Sequence, residues 1–284
     1  MVRHFLITLC FLGFAVSAQS NTLTFTAIPD EDETRLEERF NKVAEYLAEE
    51  LDVDVRFVPV KSYAASITAF RNNQVQLAWF GGLSGVRARE RVPGSEAIAQ
   101  GVEDRGFYNY FIANTETGIE KADDLPEAIR GKTFTFGSRG STSGRLMPEY
   151  FIRERFNEAP DEVFRRVGYS GNHTRTIALV ESGAYQVGAL NFAVWDKMVE
   201  EGEIDTDKVR VIWKSPAFPN YQWTIRGDVD ERFGEGFKDR VQQALLDMDD
   251  PELLASFPRE RFVPVSNEHY DPILEVGREI GILD

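Results

Sequence analysis

Two blocks of alternating strand-like and helix-like segments, separated by extended aromatic stretches, constrain this chain more than any single motif. Residues 23–27 read as a strand, and Pro29-Asp30-Glu31-Asp32 is a turn rich in helix-starting acids. Leu36, Phe40, Val43 and Leu47 then recur with charged residues between them, which is one apolar face of a helix. A second strand is expected at 53–58, a helix at 63–71 and a third strand at 75–79, before Gly81-Gly82. This β-α-β-α-β order predicts a mainly parallel sheet covered on both faces. The rhythm restarts with strands at 133–136, 164–169 and 187–190, alternating with helices at 143–156, 174–182 and 192–200. Residues 108–114 and 209–214, the latter followed by Ser215-Pro216-Ala217-Phe218-Pro219, are predicted to be two crossings between lobes. Helical segments at 231–248 and 270–280 are expected to return to the first lobe. The predicted division is 19–112 in lobe 1, 113–214 in lobe 2 and 215–284 back in lobe 1. Two α/β lobes on two hinge crossings enclose a cleft, and ligands of open α/β sheets sit outside the carboxyl ends of strands.

Residues 1–18 are expected to lie outside this fold. Arg3 precedes an apolar run from Phe5 to Val16, and Val16-Ser17-Ala18 offers the small residues of a signal-peptidase site. The run is shorter than the roughly 20 residues a membrane span needs. A cleaved signal and a periplasmic mature protein follow. Cys10, the single cysteine, lies inside this signal, so the mature chain has no thiol for disulfides, nucleophilic chemistry or metal binding. Of the 3 histidines only His173 and His269 follow the signal, far apart in sequence, which argues against a histidine zinc site. No metal or cofactor is expected. With 32 basic and 47 acidic residues among 284, the net charge of −15 opposes nucleic-acid binding, because phosphate recognition needs a positive field.

The segment from Thr133 to Arg145 concentrates the chemistry. It reads as a strand, a loop punctuated by Gly137 and Gly140, the run Ser141-Thr142-Ser143, and a helix start. The first amides of a helix lack internal partners and carry partial positive charge, so an anion fits there. Three adjacent hydroxyls add rotatable donors, each charge-assisted bond contributing about 1.5–3 kcal/mol before the anion's dehydration is subtracted. Ser141 reads equally well as a simple N-cap. Pro148 cannot donate to the carbonyl of Gly144 and is expected to kink or divide the helix. Arg139 and Arg145 are expected to be solvated rather than to reach the anion.

Together, Tyr63-Ala64, Ala78-Trp79-Phe80-Gly81, Leu83-Ser84, Ser141-Thr142-Ser143-Gly144 and Val211-Ile212-Trp213-Lys214-Ser215-Pro216 resemble the periplasmic receptors of ABC importers for phosphonate, phosphite and related oxyanions. The stretches 78–85 and 138–148 look most like the subgroup carrying a selenate-receptor label. The resemblance implies a two-lobed α/β periplasmic binding protein of type II, a monomer that closes about its hinge and docks on a membrane permease with its ATPase. It implies that Ser141, Thr142 and Ser143 bind the oxyanion, that Tyr63 closes over it from the opposite lobe, and that His173 adds a contact. Read alone, Tyr63 is a surface-helix aromatic and His173 a loop or N-cap histidine. The family's hinge aromatic falls at Phe107 or Tyr108; at Phe107 one hydroxyl contact is lost.

Receptors for aminoalkyl phosphonates hold the ammonium group with acids where this chain has Val194 and Tyr221. Tyr221 is accordingly placed at the site without a carboxylate beside it, and a small ligand without a positive tail is expected: phosphite, phosphate, selenate, selenite or a short alkyl phosphonate. Phosphite and phosphate can donate a proton, whereas selenate and sulfate only accept near neutral pH; His173 can serve either kind through its protonation state. Two other readings stand beside transport. A sensor presenting its closed form to a membrane kinase would share the ligand chemistry. A hydrolase would need Ser143, His173 and Glu181 assembled as a triad, yet no G-x-S-x-G elbow is present.

Overall fold

The computed structural model describes residues 21–284, so the signal segment expected at 1–18 lies outside the described residues. Among the described residues, eleven strands form two sheets: β1 (Leu23–Ala27), β2 (Val55–Phe57), β3 (Leu77–Phe80), β4 (Glu96–Gly101), β5 (Asn109–Asn114), β6 (Thr133–Phe136), β7 (Arg166–Tyr169), β8 (Val187–Asn191), β9 (Val209–Lys214), β10 (Gln222–Ile225) and β11 (Phe262–Pro264). The first sheet runs β11-β4-β10-β3-β1-β2 and the second β7-β6-β8-β5-β9. No helix among the described residues is long and apolar enough to cross a membrane.

Local chemistry explains the elements. Asp32 caps the helix Glu33–Leu51 by accepting from the Thr34 N–H, and the expected apolar face of Leu36, Phe40, Val43 and Leu47 is buried. Ser62 caps Tyr63–Arg71 in the same way, accepting from the Ala65 N–H. Phe25, Phe40, Phe57, Trp79, Trp223 and Phe257 form a mutually packed aromatic core in the first lobe. A second aromatic core in the other lobe includes Phe111, Phe134, Phe136, Phe164 and Trp213.

Three expectations are corrected. The sheets are mixed rather than mainly parallel: β1 pairs parallel with β2 and β3, but β10 enters antiparallel between β3 and β4, and β11 is antiparallel to β4. Residues 108–114 and 209–214 are not crossings, because β5 and β9 pair with each other inside the second sheet. The segments that pass between sheets are 102–108 and 215–221, bridged by Phe107 and Phe218. The boundary expected after 112 therefore falls inside β5, all of whose residues belong to the second sheet. The third correction concerns Arg145, which is largely covered, pairs with Glu149 and lies 4.5 Å over the Phe136 ring; Arg139 is exposed, as expected, with its guanidinium 3.7 Å over Tyr169.

Asp104 ties the crossings to the tail. Its carboxylate takes two hydrogen bonds from Arg259, at 2.7 and 2.8 Å, and its carbonyl accepts from the Asn220 N–H at 3.1 Å. Both side chains are buried, so removing one partner strands the other charge away from water. Asp104→Ala is expected to lower the unfolding free energy by about 3–5 kcal/mol in urea denaturation; a loss below about 1 kcal/mol would show that the pair does not brace the hinge.

Candidate functional site

The turn after β6 is organised by what Pro148 lacks. Ser141 caps it, accepting from the Gly144 N–H at 3.0 Å, and residues 142–146 follow a π register in which Leu146 N–H donates to Ser141 and Met147 N–H to Thr142. The Gly144 carbonyl, which Pro148 cannot serve, accepts instead from the Gly137 N–H at 2.7 Å. The expected division of the helix is thus real, with the α-helix starting afresh at Met147–Phe156. Ser141, Thr142 and Ser143 are all buried. Two glycines let the neighbours in. A Cβ on Gly140 would lie 2.9 Å from the Cβ of Tyr63, and one on Gly144 would lie 3.1 Å from both His173 Cε1 and Ser141 Oγ.

Strand ends and helix starts from both sheets meet around this turn. Tyr63 opens its helix in the first lobe, and His173 opens His173–Glu181 in the second, behind Asn172 as its N-cap. The Leu83 N–H, at the start of Gly82–Arg91, donates to Thr142 Oγ1 at 3.0 Å across the lobes. The His173 N–H likewise donates to the Asp30 carbonyl at 2.8 Å, and Asn172 Nδ2 to the Glu31 carbonyl. Ser141 and Thr142 oxygens each accept one backbone N–H and keep their own O–H to give.

Several buried polar atoms here have no hydrogen-bond partner among the described residues: the Tyr63 hydroxyl, Ser143 Oγ, His173 Nε2, Asp30 Oδ1, Asn109 Oδ1 and Asn220 Nδ2. Unmatched buried polar atoms are rare and costly, so such a group from both lobes marks a place for a polar ligand. Their protonation states follow from burial and hydrogen bonds. His173 Nδ1 accepts from the Asn191 N–H at 3.3 Å, so a neutral imidazole carries its proton on Nε2. Burial pushes its pKa down to about 4, with Glu31 opposing. Burial also raises the Tyr63 hydroxyl well above its ordinary range, so it stays a donor.

Sequence reasoning missed the acid. The Tyr221 hydroxyl donates to Asp30 Oδ2 at 2.7 Å and accepts from Asn191 Nδ2 at 3.0 Å. The expectation that no carboxylate stands beside Tyr221 is therefore corrected: Asp30 reaches it from the loop after β1. Burial, reinforced by Glu31, raises Asp30 to about 6, against the pull of Arg39 and the Tyr221 hydrogen bond. For Glu31, burial pushes upward but Arg39 outweighs it, through charge and a 2.7 Å hydrogen bond, and holds the carboxyl low. The run of acids after β1 was the available signal, since one caps a helix, one pairs with Arg39, and Asp30 is left.

Of the two hinge aromatics, Phe107 is fully buried with its ring 5.5 Å from that of Tyr221, and it brings no hydroxyl. Tyr108 is not brought to the site; its ring stacks on Phe192 at 3.9 Å with Lys214 Nζ 3.7 Å over its face. The hydrolase triad does not assemble. His173 Nδ1 faces a backbone N–H rather than a carboxylate, and Glu181, at the far end of the same helix, accepts from the Asp205 N–H.

Two mixed sheets whose strand ends converge on one cleft of uncharged donors define a two-lobed α/β binding protein of type II. The chain belongs to the family of periplasmic substrate-binding proteins of phosphonate ABC transporters, whose model, described as "ABC transporter, phosphonate, periplasmic substrate-binding protein", matches residues 25–270. It is 37% identical over 291 aligned positions to the probable ABC transporter phosphite binding protein PhnD1 of Prochlorococcus marinus (strain MIT 9301), covering 99% of this chain and 98% of that one. The solved structure of PhnD1 from P. marinus in complex with methylphosphonate superposes with a TM-score of 0.88, over 92% of this chain and 98% of that one. The phosphonates-binding periplasmic protein of Escherichia coli (strain K12) is 29% identical, over 71% of this chain and 60% of its own length.

The imidazole carries a pH signature. The unfolded chain binds the His173 proton first, so this residue withdraws stability as pH falls from 6.5 towards about 4, by at most about 1.4 kcal/mol per pH unit. Asp30 acts oppositely between 3.8 and about 6, where the folded chain binds the proton first and stability falls as pH rises. Because the two effects offset each other in bulk denaturation, residue-specific NMR is the check. The His173 ring is expected to titrate near 4, and a midpoint near 6.5 would contradict its burial as a neutral donor.

Proposed function

We propose that this chain is the periplasmic receptor of an ABC importer for a small tetrahedral oxyanion of the phosphite, phosphate and short alkyl phosphonate class, with a selenate-like anion as the alternative within the same geometry. The observation that carries this reading is the set of unmatched buried donors from both lobes: Tyr63, Ser143, His173 Nε2 and Asn220 Nδ2, beside the free O–H groups of Ser141 and Thr142. All are uncharged. They suit an anion in a protein of net charge −15, because no cation has to be held in reserve and paired off when the ligand leaves. A relative named for phosphite and a solved relative holding methylphosphonate support the same class.

The side of the site that Tyr221 closes is already filled: its ring stacks on Trp79 at 5.4 Å, and Asp30, Asn191 and Val194 are buried around it, which suits a small ligand. Closure is the proposed mechanism: an anion touching both lobes stabilises the shut arrangement over the open one. Lobe 1 comprises 19–108 and 215–284, lobe 2 the residues between, after removal of a signal near residue 18. The monomer then presents its closed surface to the permease, and the ATPase drives import.

A thermal-shift panel of phosphite, phosphate, methylphosphonate, selenate, selenite and sulfate, followed by calorimetry, tests the class, since a ligand of the native state raises apparent stability with its affinity. Ser143→Ala is expected to weaken the best ligand about 10- to 100-fold, the scale of one charge-assisted hydrogen bond. Ser141→Ala combined with Ser143→Ala is expected to abolish ligand-dependent compaction in small-angle scattering; retained compaction would place the ligand elsewhere.

A further inference from the structure

We infer that Asp30 reads a proton on the bound anion, so that the cleft selects a singly protonated tetrahedral anion over a fully ionised one of similar size, such as sulfate or selenate. The inference rests on the proposed function and names the ligand form within it.

The geometry leaves Asp30 one free acceptor. Its Oδ2 is occupied by the Tyr221 hydroxyl, its Oδ1 is buried with no partner among the described residues, and its carbonyl is pinned by the His173 N–H. Tyr221 has no second O–H to offer, because its single proton already goes to Asp30. His173 cannot be the acceptor, since Nδ1 is taken by the Asn191 N–H and Nε2 is left to donate. The remaining ligand-facing groups, the hydroxyls of Tyr63, Ser141, Thr142 and Ser143, all have a proton to give. Asp30 Oδ1 therefore sets a negatively charged acceptor among these donors, whereas Asn109 Oδ1, the other unmatched acceptor named above, is neutral.

An anion with a P–OH group can donate to Asp30 while its other oxygens accept from the donors. An anion with no proton sets its oxygen against the carboxylate, and it can stay only if Asp30 takes a proton from solvent. Phosphite, phosphate and methylphosphonate lose their second proton near neutral pH and bring that proton with them. Sulfate and selenate are far stronger acids and do not. The charged and titratable groups around Asp30 leave this balance in place. Glu31, just before the helix Glu33–Leu51, and Arg39, on it, are paired with each other. Lys197, on Phe192–Glu200, acts on Glu31, His173 is neutral, and Tyr63 and Tyr221 stay protonated. Arg259, which reaches the Tyr221 ring, is occupied by Asp104.

Calorimetry on the full mature protein decides it. The wild type and Asp30→Asn are titrated with phosphite, methylphosphonate, sulfate, selenate and 2-aminoethylphosphonate from pH 5.5 to 8.5, in two buffers of different protonation enthalpy. The wild type is expected to bind phosphite and methylphosphonate with little proton uptake below neutral pH. It is expected to bind sulfate and selenate only with uptake of one proton, so that their affinity falls about tenfold per pH unit above 6. Asp30→Asn is expected to bind sulfate and selenate without proton uptake and to narrow the phosphite-to-selenate ratio by roughly 100-fold, the scale of relieving a like-charge contact. An unchanged ratio in Asp30→Asn overturns the inference, as does wild-type selenate binding at pH 8.5 without proton uptake. Preferential wild-type binding of 2-aminoethylphosphonate that Asp30→Asn loses also overturns it, by making Asp30 an ammonium partner. If no anion binds the wild type, the proposed function itself fails and takes this inference with it. Should Asp30→Asn not fold, the wild-type proton count gives the answer alone.

Discussion

Pro148 has no N–H to give, and the turn that carries Ser141, Thr142 and Ser143 is shaped around that missing donor. Because the Gly144 carbonyl has no partner four residues ahead, it turns to the Gly137 N–H at the end of β6, and the residues between adopt the wider π register. Ser141, the extended N-cap, and Thr142 and Ser143 in the π turn are all buried, with Thr142 Oγ1 accepting from the Leu83 N–H and Gly144 packed against His173.

The same region keeps its arginines paired with acids. Arg39 is committed to Glu31, Arg259 to Asp104, and Arg145 to Glu149 beneath an aromatic face. A buried ion pair rarely adds net stability, yet breaking one is expensive, so these arginines are not free to swing towards an anion. Apart from Asp30, the unmatched polar groups named for the candidate site are uncharged, and backbone contacts fix the directions of Ser141, Thr142 and His173.

Local signals were legible where the local chain dictates the outcome. The apolar face of Leu36, Phe40, Val43 and Leu47, the strand before Ser141 and the break at Pro148 all follow from nearest neighbours in sequence. The Thr142 contact to Leu83 and the bridge from Asp30 through Tyr221 to Asn191 join residues that sequence spacing cannot relate. β10 was invisible for the same reason: Gln222-Trp223-Thr224-Ile225 is short and earns its place only by pairing with β3 and β4. In sequence, Asp30 reads as part of a helix start because its neighbour Asp32 does cap one. Of the two hinge aromatics, only packing against Tyr221 and Phe192 separates Phe107 from Tyr108.

Asn191 serves three masters at once. Its backbone N–H sets which imidazole nitrogen of His173 is protonated, its Nδ2 supports the Tyr221 hydroxyl, and its Oδ1 caps the helix Phe192–Glu200. Replacing that one amide would disturb the supports of two ligand-facing groups and the start of a helix together. Changing the Tyr63 or Ser143 hydroxyl, by contrast, breaks no side-chain hydrogen bond among the described residues, so single steps are easiest there, while any path through Asn191 demands compensating changes made in concert.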